Sequence, residues 1–243
     1  MRISGHVLIK DEAATIRYSI LSVIDYLDEV VVWVDPRTTD NTREIVEHLL
    51  LDYPDKIRIV DFKRPMARSM YQTIKNLRFN KPKARTMLLK EQRCGVCFIL
   101  DGDEVYSKDM IKKIILEIHN SPKEIETWAW TSRYFSKKNM YVGEVVMTRA
   151  IRMRPDLHFV EADLKVFPKN ENIDWIHDIP ATDKGPIHQK PLPHKIIDAW
   201  HFHFPFRSSP KYWDGNKIYD GPYPEVFPDN FDFSVLFPEK NKL

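Results

Sequence analysis

Phe98-Ile99-Leu100-Asp101-Gly102-Asp103-Glu104 opens as an apolar run and ends in three carboxylates within four positions. The first three residues read as a buried parallel strand, and the acids stand where that strand would end. Like charges this close raise one another's pKa unless a cation or a donor neutralises them. Hard oxygen ligands in a tight cluster suit Mg²⁺ or Mn²⁺, and the edge above strand C-termini is where α/β sheets take ligands. Taken alone, the motif fits a solvated surface turn equally well, so the rest of the chain has to decide.

Upstream, the pattern is strand, helix, strand, helix, strand. Ile3 to Ile9 is a first strand ending at Lys10, Asp11 and Glu12, and Ile16, Ile20, Val23, Ile24 and Leu27 then recur at helical spacing. Glu29 to Val34 is a β-branched second strand ending at Asp35. Thr38, Thr39, Asp40 and Asn41 can cap a helix whose apolar face is Ile45, Val46, Leu49 and Leu50, and Ile57 to Phe62 is a third strand. This order predicts parallel strands joined by crossover helices, the look of a nucleotide-binding sheet. In such a sheet the three acid-bearing strand ends share one edge and can surround one pocket.

Downstream, Pro65 to Arg93 is helical and basic with Pro82 dividing it, and Ser107 is a cap for a helix buried through Met110, Ile111, Ile114, Ile115 and Ile118. Thr127 to Phe135, Val145 to Met153 and Leu157 to Phe167 read as strands. After Ile173 prolines and aromatic residues crowd a tail that is expected to fold back over the sheet. Within it, Trp200-His201-Phe202-His203-Phe204 as a strand would put both histidines on one face and the three aromatics on the other.

The chain has 243 residues, 43% hydrophobic and 30% charged, which is ordinary for a folded globular protein. A net charge of +2 gives no general case for a nucleic-acid partner, although Lys63 to Arg93 could meet phosphate. No apolar run reaches the roughly 20 residues of a transmembrane helix, and Met1 to Asp11 lacks a signal-peptide core, so a cytoplasmic protein is expected. Cys94 and Cys97 form a C-x-x-C without a second pair to complete a zinc site, and Cys97 is expected to be a small core residue and Cys94 incidental.

Three stretches in order resemble family 2 glycosyltransferases. Lys10 to Ile16 looks like the family's opening N-E-x-x-x-I with Asp11 for the usual Asn; Val31 to Thr42 is similar to V-D-x-G-S-T-D-N-T; Phe98 to Glu104 looks like the strand running into D-x-D-E. Pro36 and Arg37 replace the small residue and glycine of the second element, so the loop there is expected to differ in shape. The resemblance implies an α/β protein of GT-A type: a Rossmann-like nucleotide-binding sheet flanked by helices, with a C-terminal acceptor-side region. Residues 1–120 would form the nucleotide-sugar half, and 121–243 the acceptor half with its tail packed on the same domain.

By the same resemblance the chain would move a sugar from a nucleotide-diphosphate donor to a glycan or other hydroxyl acceptor with inversion, with Mn²⁺ or Mg²⁺ as cofactor. Asp103 would hold the metal directly, and Asp101 would orient the donor ribose or reach the metal through water, with Glu104 a further ligand candidate. Asp35 would read the base with Asp11 and Glu12 close by, Arg68 would touch the diphosphate or nucleotide, and His201 or His203 would complete the metal shell or touch the diphosphate. Inversion needs a general base, for which Glu161 and Asp163 are the candidates, with Glu144 and Asp178 behind them. Two rivals stand beside this: a haloacid dehalogenase-type phosphatase, since Asp101-Gly102-Asp103-Glu104-Val105 fits D-x-D-x-V, and a domain that binds a nucleotide or glycan without turnover.

Overall fold

Ile3–Ile9 (β1) and Glu29–Val34 (β2) carry apolar residues on both faces, which demands cover on both sides of the sheet, and both strands are buried from end to end. The computed structural model describes residues 1–62, 81–163, 176–182, 185–186, 192–204 and 217–237. Between and after these strands come α1 (Ile16–Val23), α2 (Thr42–Asp52), β3 (Ile57–Ile59), α3 (Lys81–Glu91), β4 (Val96–Leu100), β5 (Glu104–Val105) and α4 (Lys108–His119). Then follow β6 (Thr127–Lys137), β7 (Met140–Arg152), β8 (His158–Asp163), β9 (Ile176–Thr182), β10 (Gly185–Pro186), β11 (His194–His203) and β12 (Lys217–Ile218), and last a 3-10 helix at Phe233–Leu236.

One mixed sheet carries nine of these strands in the order β3-β2-β1-β4-β7-β6-β11-β5, with β12 added to β7. β3, β2, β1 and β4 are parallel, as the strand-helix alternation predicts, and β7 then joins β4 antiparallel. β8, β9 and β10 form a separate three-stranded sheet. The parallel register pairs Ile9 with Val34 and Val7 with Leu100, so β1, β2 and β4 end on the same edge.

The two faces of the parallel half are covered differently. Ile3, Val7, Ile9, Val30, Val32, Phe98 and Leu100 pack against the apolar faces of α1, α2 and α4. On the other face Leu8, Val31 and Trp33 meet Ala84 and Leu88 of α3, while Cys97 and Ile99 meet Leu89 and the β8 residue Phe159. Pro82 lies in the first turn of α3, where a missing N–H costs nothing. One capping expectation changes partner and one is met by Asp40 of the four residues offered. Ser107 precedes α4 without a side-chain bond, and Glu225 of the tail accepts the Lys108 N–H at 3.1 Å. At α2 the Thr42 N–H goes to Asp40 Oδ1 at 3.0 Å. The third strand stops at Ile59, and Phe62 beyond it stacks on Trp33. Neither cysteine is in a disulfide; burial pushes the Cys94 thiol up to about 11 and raises Cys97 further, which makes both inert.

The aromatic tail packs on the opposite end of the sheet. Phe135, Phe202, Phe204, Tyr219, Phe227 and Leu236 form a cluster that Tyr223, Phe231 and Phe233 extend, and Tyr18 ties it to α1. No helix among the described residues is long and apolar enough to cross a membrane.

His6, in the middle of β1, is fully buried with neither ring nitrogen hydrogen-bonded, and it stacks on Phe159 at 5.5 Å. Burial, reinforced by Arg85, holds its pKa well below the usual imidazole value. The unfolded chain therefore takes up a proton near pH 6.5 that the folded chain refuses, so stability falls as pH drops below about 6.5, by up to ~1.4 kcal/mol per pH unit. Urea unfolding of His6→Leu between pH 7.5 and 5 is expected to show a shallower loss than the parent; equal slopes would exclude His6 as the source.

Candidate active site at the carboxyl edge of the sheet

The edge where β1, β2 and β4 end is stitched together by side chains from the two loops that leave it. Asp11, at a left-handed φ of 52°, accepts the Thr39 N–H at 2.6 Å. Asp and Asn tolerate that backbone best among residues with a side chain, which accounts for Asp11 standing where the resemblance has Asn. The Glu12 N–H goes to Thr42 Oγ1 at 2.7 Å and the Ala13 N–H to Asp40 Oδ2 at 3.1 Å. Gly102 is required by contact: a Cβ there would lie 2.8 Å from Ile9 Cγ2 and 3.0 Å from Glu12 Cγ. The strand ends carrying Asp11, Asp35 and Asp101 thus form one rim, with the ends of β2 and β4 on either side of β1, ~10 Å apart by strand spacing.

Each acid of the D-G-D-E turn meets a different partner. The turn is closed by the Glu104 N–H on Asp101 O at 3.2 Å, and the Ser19 hydroxyl donates to the same carbonyl at 3.0 Å. Asp101 is gripped by two buried arginines, with Arg85 on Oδ1 and Arg149 on Oδ2 at 2.9 Å. Arg149 also pairs with Glu104, which is fully buried. Burial alone would push the Glu104 carboxyl up, but Arg149 and His201 outweigh it and hold the group below the usual carboxylate value. Burial acts on the Arg149 guanidinium in the opposite sense, yet Glu104 and Asp101 raise its pKa, so the charge persists.

Glu104 does not end the motif as a loop residue. It begins β5, which pairs antiparallel with β11 and sets Glu104 opposite His203 and Val105 opposite Phe202. The alternation along β11 is as expected: Trp200, Phe202 and Phe204 enter the aromatic cluster, while His201 and His203 face the carboxylates. His201 is enclosed. The Trp130 indole, which can only donate, gives its N–H to His201 Nδ1 at 3.1 Å. The neutral ring therefore carries its proton on Nε2, between Ser132 Oγ at 2.9 Å and Glu104 Oε1 at 3.1 Å. Burial lowers the pKa of His201 in spite of Glu104. His203, stacked on Tyr134, differs: burial pulls its pKa down, but Asp103, 3.2 Å from Nε2, and Glu104 outweigh it and raise the value.

Glu104, His201 and His203 bring ligand atoms within 4.8 Å of one another, and Asp103 adjoins them through His203. His203 Nδ1 is buried without a hydrogen-bond partner, 3.6 Å from Glu104 Oε1. Carboxylate oxygen and imidazole nitrogen together fit a divalent transition ion such as Mn²⁺. Asp35 lies at the far side of the rim, fully buried and paired with Arg37. Glu161 and Asp163 fall on β8, where Glu161 pairs with Asp178 and Asp163 with Ile176 of β9. Glu144 is paired with Arg133, which lies over the Trp200 ring on the aromatic face, away from the histidines. Arg68 is outside the described residues.

Arg85, Arg149, Trp130 and Ser132 were not among the sequence candidates. Arg85 carried one faint signal, standing four residues before the buried Leu89 and so on the inward face of α3. Arg149 stands in a run of three arginines, where nothing in the order of residues marks which one turns inward.

The model for the family described as Glycosyl transferase family 2 matches residues 6–162. Among solved structures, the chain is similar to TarS 1-349 from S. aureus at 19% identity, covering 57% of this chain and 37% of that one with a TM-score of 0.41. It is similar to the mannosyltransferase PcManGT from Pyrobaculum calidifontis, solved with GDP-Man and Mn²⁺, at 19% identity over 54% and 36% of the two chains, TM-score 0.41. A third is glucosyl-3-phosphoglycerate synthase from Mycobacterium tuberculosis with Mn²⁺, UDP and glucosyl-3-phosphoglycerate, at 18% identity over 55% and 44%, TM-score 0.38. The matched part spans less than half of each of these chains. No curated protein matches.

Removing one partner from a buried charge cluster leaves the others uncompensated, a cost of about 3–5 kcal/mol. Arg149→Met is expected to lose that much in urea denaturation. A loss below about 1 kcal/mol would mean that Asp101 and Glu104 do not depend on this guanidinium.

Proposed function

The chain belongs to glycosyl transferase family 2, and from that premise we propose that it moves a sugar from a nucleoside-diphosphate donor to an acceptor hydroxyl with inversion, with a divalent ion held at Asp103. The observation that carries this is the meeting of Asp103, Glu104, His201 and His203 on the rim that also holds Asp35 and Asp101. The parallel half, with α1, α2 and α4 on one face and α3 on the other, is the Rossmann-like part of a GT-A fold.

Asp103 and His203 would hold the ion, with Glu104 beside them. His201 acts behind Glu104, orienting it from a ring whose two nitrogens are engaged by Trp130, Ser132 and Glu104. Asp101 keeps the indirect part expected of it, orienting the donor ribose or reaching the ion through water, because Arg85 and Arg149 hold both of its oxygens. When bound, the ion would neutralise charge that builds on the departing diphosphate. The mixed nitrogen and oxygen donor set supports Mn²⁺ over Mg²⁺, which prefers oxygen alone. Asp35, Asp11 and Glu12 line the nucleoside side of the same rim, and Arg68, outside the described residues, is proposed to touch the diphosphate or nucleotide. The acceptor is a glycan or another hydroxyl compound, and Glu161 or Asp163 takes its proton. The family match sets the phosphatase reading aside.

Titration calorimetry tests the metal assignment. The parent is expected to bind a nucleoside diphosphate with Mn²⁺ and to lose that binding with EDTA, and Asp103→Asn is expected to bind none in either condition. Metal-dependent binding that survives in Asp103→Asn would refute the assignment. Product assays test the base: Glu161→Gln or Asp163→Asn is expected to lower turnover by roughly 10²–10⁴ while nucleotide affinity stays unchanged. Full turnover in both variants would rule out this pair.

A further inference from the structure

Three hydrogen-bond donors of the site converge on one thioether. Met147 Sδ accepts the Ser132 hydroxyl at 3.8 Å, the Tyr134 hydroxyl at 3.6 Å and Arg149 Nη2 at 3.6 Å. A thioether is a weak acceptor, so these contacts satisfy their donors poorly. Each donor also holds the site: Ser132 Oγ lies 2.9 Å from His201 Nε2, Tyr134 stacks on His203, and Arg149 pairs with both Asp101 and Glu104. Met147 stands opposite Trp130, whose indole reaches His201, so its side chain lies on the histidine face of the sheet. Ser132 and Arg149 are buried and Met147 is half-buried, so the cluster is approached from the side of Met147 and Tyr134.

We propose that Met147 is an oxidation site through which a peroxide switches off the metal and nucleotide site. What is switched off rests on the transferase reading above; the chemistry at sulfur does not. The sulfur attacks one oxygen of hydrogen peroxide and the O–O bond breaks. The departing hydroxide then takes the proton left on the transferred oxygen and leaves as water, so that the thioether is oxidised to a sulfoxide and the peroxide is reduced. The sulfoxide is polar and puts a strong acceptor where the sulfur was a weak one. Its oxygen competes for Arg149 against Glu104 and Asp101, and for Ser132 against His201. Glu104 and His201 then lose the groups that fix them, and such groups behind a metal site are worth about 10–100-fold in affinity or activity. Met1 supplies the contrast: it is 46% exposed and its Sδ accepts Arg152 Nη1 at 3.1 Å, ahead of β1 and so at the opposite edge of the sheet. Its oxidation is expected to leave nucleotide binding unchanged.

The test treats the whole chain with graded hydrogen peroxide, maps the oxidised methionines by peptide mass, and titrates Mn²⁺ with GDP and with UDP by calorimetry. The parent is expected to gain an oxygen on Met147, to lose about tenfold or more in nucleotide affinity as that adduct accumulates, and to recover when methionine sulfoxide reductase removes it. Met147→Leu, which keeps the volume without an oxidisable sulfur, is expected to hold its own starting affinity through the same treatment. The reductase arm carries the test if Met147→Leu fails to fold. The proposal is overturned if Met147 stays reduced while Met1 is oxidised, if Met147→Leu is inactivated as fast as the parent, or if the oxidised parent binds as before. If the untreated parent binds neither nucleotide with Mn²⁺, the transferase reading falls, and the switch is read in urea instead. There the Met147 adduct is expected to lower the unfolding midpoint, because Arg149 is drawn from its acids, and an unchanged midpoint would overturn it.

Discussion

The Arg149 guanidinium, buried between Asp101 and Glu104, is what allows three carboxylates to crowd the end of β4. Without it Glu104 would be a buried anion beside a second anion, and protonation would relieve the repulsion at the expense of the acceptor. With Arg85 added on Asp101, two acids meet two buried guanidiniums, and Asp103, about as exposed as Asp101, pairs with His203 instead. The motif is therefore graded: its outer members are neutralised by arginines, and its middle member pairs with a histidine.

That grading depends on strands far apart in the chain. Arg149 comes from β7, His201 and His203 from β11, and Arg85 from α3. β5 holds Glu104 by its two-residue pairing with β11, and the Phe204 N–H reaches back to Asp103 O at 2.8 Å. The aromatic cluster behind Phe202 and Phe204 anchors this corner, and through Tyr18 it is tied to the helix whose Ser19 holds the Asp101 carbonyl. A tail with no recognisable motif thus fixes the geometry of the motif.

At the other end of the rim, the departure Pro36-Arg37 has a structural consequence of its own. A glycine there would leave Asp35 with a bare turn. The D-P-R-T turn instead supplies a cation, and its rigidity makes the Asp35-Arg37 pair a fixed part of the rim.

Much of the architecture was legible in the residues themselves. Largely apolar runs at Ile3 to Ile9 and Glu29 to Val34, separated by an amphipathic helix, read as parallel strands covered on both faces, and acids at the ends of such strands share an edge. The alternation of Trp200 to Phe204 likewise fixed which side chains face the site, because a strand's period of two leaves no freedom. What tertiary structure alone decided was compensation. Whether Asp101 and Glu104 are ligands or ion pairs depends on which arginines turn inward, and a long charged side chain carries no periodic signature of its destination. Glu104 became a strand residue because β11, about a hundred positions later, came to lie beside it. Local patterns determine faces and edges; which charges meet across them is settled by contacts between residues tens of positions apart.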